Sequence, residues 1–272
     1  MARAKSITFG ICKSCGNYKI LTEEHIPPRS AFNDGTIKIY SVDETLKTVT
    51  DNERLPLDFE GLKYQLKQGG HRLKTLCSKC NNYFGANYVN EYQNIIKSFA
   101  YFLSTLNIKN EKYVHAKTEK FKPLPFIKQV MAMFASLTNI SDYPEMRNFL
   151  LDKNCNTFKK DKYRVYISIF KKGIKRLSGW SVLYGTKGSF LVSEIVSYPF
   201  IFILLGNADE QPPENTEHFG ADITSFVDFK YEDETSLEIS LPIHECNINL
   251  PCDYRTQEEI IQCRNENLKN KN

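Results

Sequence analysis

Two Cys-x-x-Cys pairs, Cys12/Cys15 and Cys77/Cys80, carry the plainest chemistry in this sequence. Each such turn offers two thiolates to one ion, and two turns complete a tetrahedral four-sulfur site of the structural zinc type. In a reducing compartment the eight cysteines of the chain are poor candidates for disulfides, so the two pairs read as metal ligands. A site closed by four cysteines performs no reaction itself. Any activity must come from residues that the ion holds in place.

The stretch Glu-Glu-His-Ile-Pro-Pro at 23–28 lies between the two pairs and supplies such residues. Glu24 can hold a hard cation such as Mg²⁺ or Mn²⁺, and neutral His25 can accept a proton from water beside the same phosphate. Taken alone, Glu24-His25 is a common dipeptide that reads first as a lone surface or helix-capping histidine. The second pair is followed at once by Asn81 and Asn82, two carboxamides placed next to a thiolate ligand.

The order Cys-x-x-Cys, Glu-His-Ile-Pro-Pro, Leu-Cys-x-x-Cys-Asn resembles the HNH endonuclease family, the ββα-metal nucleases, in their zinc-knuckle form. The resemblance runs from residue 9 to about residue 90. It implies that Asn81, with Asn82 as the neighbouring substitute, coordinates the catalytic cation together with Glu24, and that His25 is the general base. Arg29, Arg72, Lys74 and Lys79 would then bind flanking phosphates of nucleic acid, double-stranded DNA first, leaving 5′-phosphate and 3′-hydroxyl ends. Defence against foreign DNA fits such a module by association with the family. Two departures stand out. The family's middle Asn is replaced by His71-Arg72, so His71 becomes a candidate to hold the loop or bind a phosphate, or is an ordinary surface residue. The gap from His25 to Cys77 is also long. The alternatives are a non-cleaving, zinc-stabilised nucleic-acid-binding module and a protein-docking module.

Composition bounds the rest. With 41% hydrophobic and 12% aromatic residues over 272, the chain can bury a real core and is not of the disordered class. No apolar run approaches a membrane span, the longest being Tyr-Pro-Phe-Ile-Phe-Ile-Leu-Leu-Gly at 198–206, and the first residues hold no signal-like stretch. A soluble, cytoplasmic protein with no membrane partner is expected. The formal charge of +4 lies with the cysteines: residues 61–90 hold Lys63, Lys67, Arg72, Lys74 and Lys79 and no acid. That stretch is a phosphate-binding face or a solvated basic surface.

These residues need elements to position them. The first cysteine pair reads as a knuckle between short strands, and 31–70 as an insert with a strand at Thr-Ile-Lys-Ile-Tyr-Ser-Val and an amphipathic segment at Asp-Phe-Glu-Gly-Leu-Lys-Tyr-Gln-Leu-Lys-Gln. The second pair opens a helix that runs to about residue 103 despite Gly85. A polar stretch, 107–123, suggests a boundary, giving an HNH-like domain at 1–100 and an α+β targeting or regulatory domain at 101–272. In the latter, Pro-started helices at 123–139 and 143–153 precede strands near 162–206, an acidic loop at 214–234 and a final helix. The fold class is α+β throughout. The basic segment at 159–176 reads as a nucleic-acid surface or an edge strand with protective lysines. His244, Cys246, Cys252 and Cys263 match no tight zinc knuckle. A regulatory partner on the second half, and a homodimer that would ease double-strand cuts, complete the expectations.

Overall fold

The first hairpin forms because a tight Cys-Lys-Ser-Cys-Gly-Asn turn separates two extended runs. Gly16 adopts φ 73°, a left-handed conformation that glycine takes freely. Strand β1 (Thr8–Ile11) pairs antiparallel with β2 (Tyr18–His25), with Phe9 opposite Ile20. The structure, a computed structural model, describes residues 7–51, 54–185, 188–206 and 217–269.

The insert after β2 holds a short ribbon of β3 (Ile37–Ile39) and β4 (Gln65–Lys67), with α1 (Val42–Thr50) between them. Ser41 caps α1 by accepting a bond from the Glu44 amide at 3.2 Å. The amphipathic segment expected at 58–68 is not helical. Leu57 and Gly61 take φ of 69° and 71°, outside α geometry, and only Gln65–Lys67 is extended. Strand β5 (Arg72–Cys77) then joins the free side of β2, giving the order β1-β2-β5, and runs directly into α2 (Ser78–Asn87). The expected long helix breaks after Asn87, and α3 (Val89–Thr105) continues beyond Tyr88. Tyr88 sits at φ −123°, ψ −33°. It is fully buried with its hydroxyl bonded to the Leu150 carbonyl at 2.8 Å, a tertiary demand that overrides weak helix formers such as Gly85 and Asn87.

The remainder is built on α4 (Pro123–Leu137), buried from Pro123 to Ser136, with α5 (Pro144–Leu151) against it. A second sheet comprises β6 (Tyr113–Phe121), β7 (Tyr163–Gly173), β8 (Arg176–Gly185), β9 (Gly188–Ser197), β10 (Phe200–Gly206), β11 (Ala221–Asp222) and β12 (Thr235–Cys246). Its order is β6-β12-β7-β10-β9-β8, with β11 on β7. The β12–β7 pairing is parallel and the others are antiparallel. Strand β10 is buried along its whole length. Phe200, Phe202 and Leu204 face the main core, and Ile201, Ile203 and Leu205 face a second, smaller one, as the period of two requires. The polar stretch expected to divide the chain contains β6, where Val114 and Ala116 alternate inward between polar residues. Residue 100 lies inside α3, and one cluster of buried side chains runs from Cys12 to Leu241. Strand β7 is interior, so the edge-strand reading of its lysines does not hold.

Three buried charged side chains hold this part together. Lys128 on α4 donates to the carbonyls of Phe149 and Asp152 at the C-terminal end of α5. Arg176 pairs with Glu194 in the sheet, and Tyr254 also donates to Glu194. The chain closes with α6 (Gln257–Lys269); residues 214–216 of the acidic loop and 270–272 lie outside the described residues. Among the described residues no helix is long and apolar enough to cross a membrane. The fold is α+β, with the four cysteines near its N-terminal end.

Candidate metal centre and adjoining cleft

The four cysteines converge. Cys12 and Cys15 come from the β1–β2 turn, Cys77 ends β5, and Cys80 lies in the first turn of α2, with all four sulfurs within 4.8 Å of one another. A zinc tetrahedron with bonds of about 2.3 Å has sulfur–sulfur edges of about 3.8 Å, so these four sulfurs could bind a metal such as zinc. The Cys77 amide already points at Cys12 Sγ, 3.3 Å away. The Cys12 thiol is held below its ordinary value, chiefly by a hydrogen bond from Cys80, and Cys80 is pushed up by the same bond. Among the described residues this is the sole metal-spaced cluster of His, Cys, Asp and Glu, so His244, Cys246, Cys252 and Cys263 form none. His244 instead stacks on Tyr254 at 4.2 Å.

The knuckle is seated on the second half of the chain. Lys13 Nζ donates to the Ser136 carbonyl at 3.2 Å, placing a cation in the last turn of α4 where the helix end carries partial negative charge. A Cβ at Gly16 would come within 2.9 Å of the Arg147 guanidinium on α5. The knuckle thus fixes α2 on one side and rests on α4 and α5 on the other.

Beside it opens a cleft of about 500 Å³. Its walls include Glu23, Glu24 and His25 of β2, Arg29 and Asp34 of the loop beyond, Asn81, Phe84 and Gly85 of α2, and Gln129 and Met133 of α4. Glu24 is 7% exposed and accepts a hydrogen bond from the Thr75 hydroxyl. Burial pushes its carboxyl up to about 8; a Ser136 hydrogen bond opposes that, the Cys12 charge adds to it and Lys13 opposes it. His25 is held below its ordinary value, first by burial, against a raising contribution from the Gly69 carbonyl. That carbonyl lies 3.1 Å from Nε2 and can only accept, so Nε2 carries the hydrogen and Nδ1 keeps its lone pair. Asn81 Nδ2 donates to Thr22 Oγ1 and to the Glu23 carbonyl, both at 3.2 Å, which pins α2 to β2 and leaves its Oδ1 out of those bonds.

Other expected residues lie apart. Asn82 sits on the exposed side of α2, its Nδ2 3.4 Å from Ser78 Oγ. Arg72 is tied to Glu23 at 2.7 Å and to the Gln68 carbonyl at 3.1 Å. Lys74 donates to Thr8 Oγ1 at 3.0 Å, while Lys79 is exposed at the start of α2. The cations of the 159–176 segment face carboxylates: Lys160 meets Asp228 at 2.6 Å and Arg164 meets Asp222 at 3.1 Å.

His71 contributes through its backbone. Its carbonyl accepts from the Ile26 amide at 3.1 Å and from Asn33 Nδ2 at 3.0 Å, and its amide donates to Asn33 Oδ1 at 2.7 Å. Asn33 also donates to the Pro27 carbonyl at 2.6 Å. This buried carboxamide therefore clamps the loop that follows His25, the task the sequence offered to His71. A Cβ at Gly70, which has φ 77°, would collide with the Asn33 backbone oxygen at 2.1 Å, so the clamp also needs glycine there. The signal available in the sequence was an Asn in a turn-forming Ala-Phe-Asn-Asp-Gly run. Nothing local joins it to residue 71. No family model matches the chain, and no curated protein or solved structure does either.

Proposed function

We propose that this chain is a metal-dependent endonuclease of the HNH type that hydrolyses phosphodiester bonds of nucleic acid, DNA first, on a knuckle held by a structural zinc. The observation that carries the reading is the convergence of Glu24, His25, Arg29 and Asn81 on one cleft, walled by a helix whose first turn belongs to the four-cysteine site.

His25 is held below its ordinary pKa, which favours the neutral imidazole, and its Nδ1 is the atom that takes a proton from the attacking water. Arg29 lines the cleft, and together with exposed Lys79 it would orient the phosphates on either side. A divalent cation such as Mg²⁺ or Mn²⁺ would supply charge neutralisation at the scissile phosphate and the leaving 3′ oxygen. The oxygens of Glu24 and Asn81 suit such an ion, which keeps several waters and takes few protein ligands. Glu24, pushed up to about 8, must release its proton to serve.

Two observations favour a second reading, a zinc-stabilised module that binds nucleic acid without cutting. Glu24 is buried under Thr75, and Arg72 is already paired with Glu23. The deciding experiment is nicking of supercoiled plasmid with Mg²⁺ or Mn²⁺ by the wild type and by His25→Ala, after zinc content and folding of both are checked. Nicking lost in His25→Ala alone supports the proposal. Steeply salt-dependent binding with no cutting by either protein sinks it in favour of the second reading.

A further inference from the structure

The outer edge of the first sheet lacks the features that ordinarily keep an edge strand from pairing. Strand β1 lies at the end of the order β1-β2-β5, and among the described residues nothing pairs with its far side. The Cys12 amide donates to the Asn17 carbonyl at 2.9 Å, one step beyond the opposed residues Ile11 and Tyr18. Bonded and unbonded pairs alternate along an antiparallel ladder, so Thr8 and Gly10 turn their backbone groups toward β2, while Ile7, Phe9 and Ile11 turn theirs to the open edge. Open edges are commonly blunted by a charge, a proline, a bulge or a covering loop. Residues 7–11, Ile-Thr-Phe-Gly-Ile, hold no charge and no proline, and the register of β1 with β2 runs unbroken. The same three residues put apolar side chains in water: Ile7 is 70% exposed, Phe9 58% and Ile11 66%. Exposed Tyr18 and Ile20 of β2 lie opposite Ile11 and Phe9 and share their face, with Phe9 and Tyr18 stacked at 6.3 Å.

We propose that the occupant of this edge is a second copy of the chain, with β1 pairing antiparallel to β1 of its partner about a two-fold axis at Phe9. A two-fold contact needs a surface that complements itself, and this stretch does: its apolar residues are symmetric about Phe9. Phe9 falls opposite its own counterpart and Ile7 opposite Ile11, which makes three apolar cross-strand pairs and satisfies the outward N–H and C=O groups of all three residues in both copies. So short a contact buries less than the roughly 1,200 Å² of a standard stable complex, so the dimer exchanges with monomer and depends on concentration. The pairing rests on the edge alone and not on the nuclease reading. A two-fold axis between antiparallel strands stands normal to the sheet, so both α2 helices, and the clefts they wall, face the same side of one continuous sheet and are presented together to one ligand.

The test is sedimentation velocity of the zinc-loaded full chain from about 1 to about 100 µM, on the wild type, Phe9→Lys and Tyr18→Lys, each first shown to be folded by circular dichroism. The wild type should pass from monomer to dimer across that range. Phe9→Lys sets two like charges opposite each other at the axis and should dimerise at least tenfold more weakly. Tyr18→Lys alters the same apolar face one strand in from the edge and should dimerise within about threefold of the wild type. An equal mixture of Phe9→Lys and Phe9→Glu, each monomeric alone, should recover a dimer because opposite charges then meet at the axis. The proposal is overturned if the wild type stays monomeric at the highest concentration, which would leave the edge to a strand of another protein, or if Phe9→Lys self-associates as the wild type does. It is also overturned if Tyr18→Lys loses the dimer as fully as Phe9→Lys, because the faces and not the edges would then be in contact.

Discussion

Replacing Asn33 with alanine should both destabilise the protein and disable the cleft. The side chain is 8% exposed and makes three bonds: to the Pro27 carbonyl at 2.6 Å, to the His71 carbonyl at 3.0 Å and from the His71 amide at 2.7 Å. The His71 carbonyl keeps the Ile26 amide as a partner, but the Pro27 carbonyl and the His71 amide lose theirs. Each net hydrogen bond is worth about 1 kcal/mol and an orphaned buried group costs about 1–3, so a loss of about 2–4 kcal/mol is expected. For a chain of this size that corresponds to a fall in Tm of roughly 4–16 °C. Melting of the zinc-loaded protein by circular dichroism reads the stability, and plasmid nicking well below the midpoint reads the site. Asn33→Asp keeps the acceptor for the His71 amide but loses the donor to both the Pro27 and His71 carbonyls and sets a buried carboxylate oxygen against them, so it should be at least as destabilising as Asn33→Ala. A Tm for Asn33→Ala within about 1 °C of the wild type would refute the clamp. A large fall in Tm with undiminished nicking would show that the clamp supports the fold but does not set the position of His25.

Three further outcomes follow from the same geometry. One zinc per chain should be found by elemental analysis and lost in Cys80→Ala along with a lowered melting temperature; a folded chain without metal and an unchanged Cys80→Ala melt would reduce the cluster to packing. Glu194→Gln should cost about 3–5 kcal/mol in urea unfolding because it leaves Arg176 buried and unpaired, whereas Arg176→Met combined with Glu194→Leu should recover most of that; equal losses for single and double variants would contradict the pairing. Burial holds Lys128 down to about 8, so the folded state binds fewer protons there than the unfolded state between about pH 8 and its ordinary value near 10.5. Stability therefore rises with pH in that window, by up to about 3 kcal/mol at about 1.4 kcal/mol per unit. The difference between the wild type and Lys128→Met should show this rise, and a flat difference would place Lys128 in water.

Features encoded within a few residues were legible from the chain alone. Each cysteine pair presents its sulfurs through the geometry of a single turn, so Cys12/Cys15 and Cys77/Cys80 announced a four-sulfur cluster that could bind a metal before any fold was known. The helices begun by Pro123 and Pro144 were equally visible, since proline at a first helical position loses no bond, and β10 could be read from its unbroken apolar run. Where a tertiary contact outweighed local preference, the reading failed. Tyr88 broke a helix to reach the Leu150 carbonyl, and β6 hid in a polar stretch because only alternate small residues face inward. The residues of the cleft divide the same way. Glu24, His25 and Asn81 could be named from their neighbours, but Asn33 meets residue 71 and Gln129 enters from a helix beyond residue 100 only because the main core folds both halves around α4. Short-range sterics and ligand geometry act within a turn or two, whereas the burial that draws distant segments together depends on how the whole chain collapses.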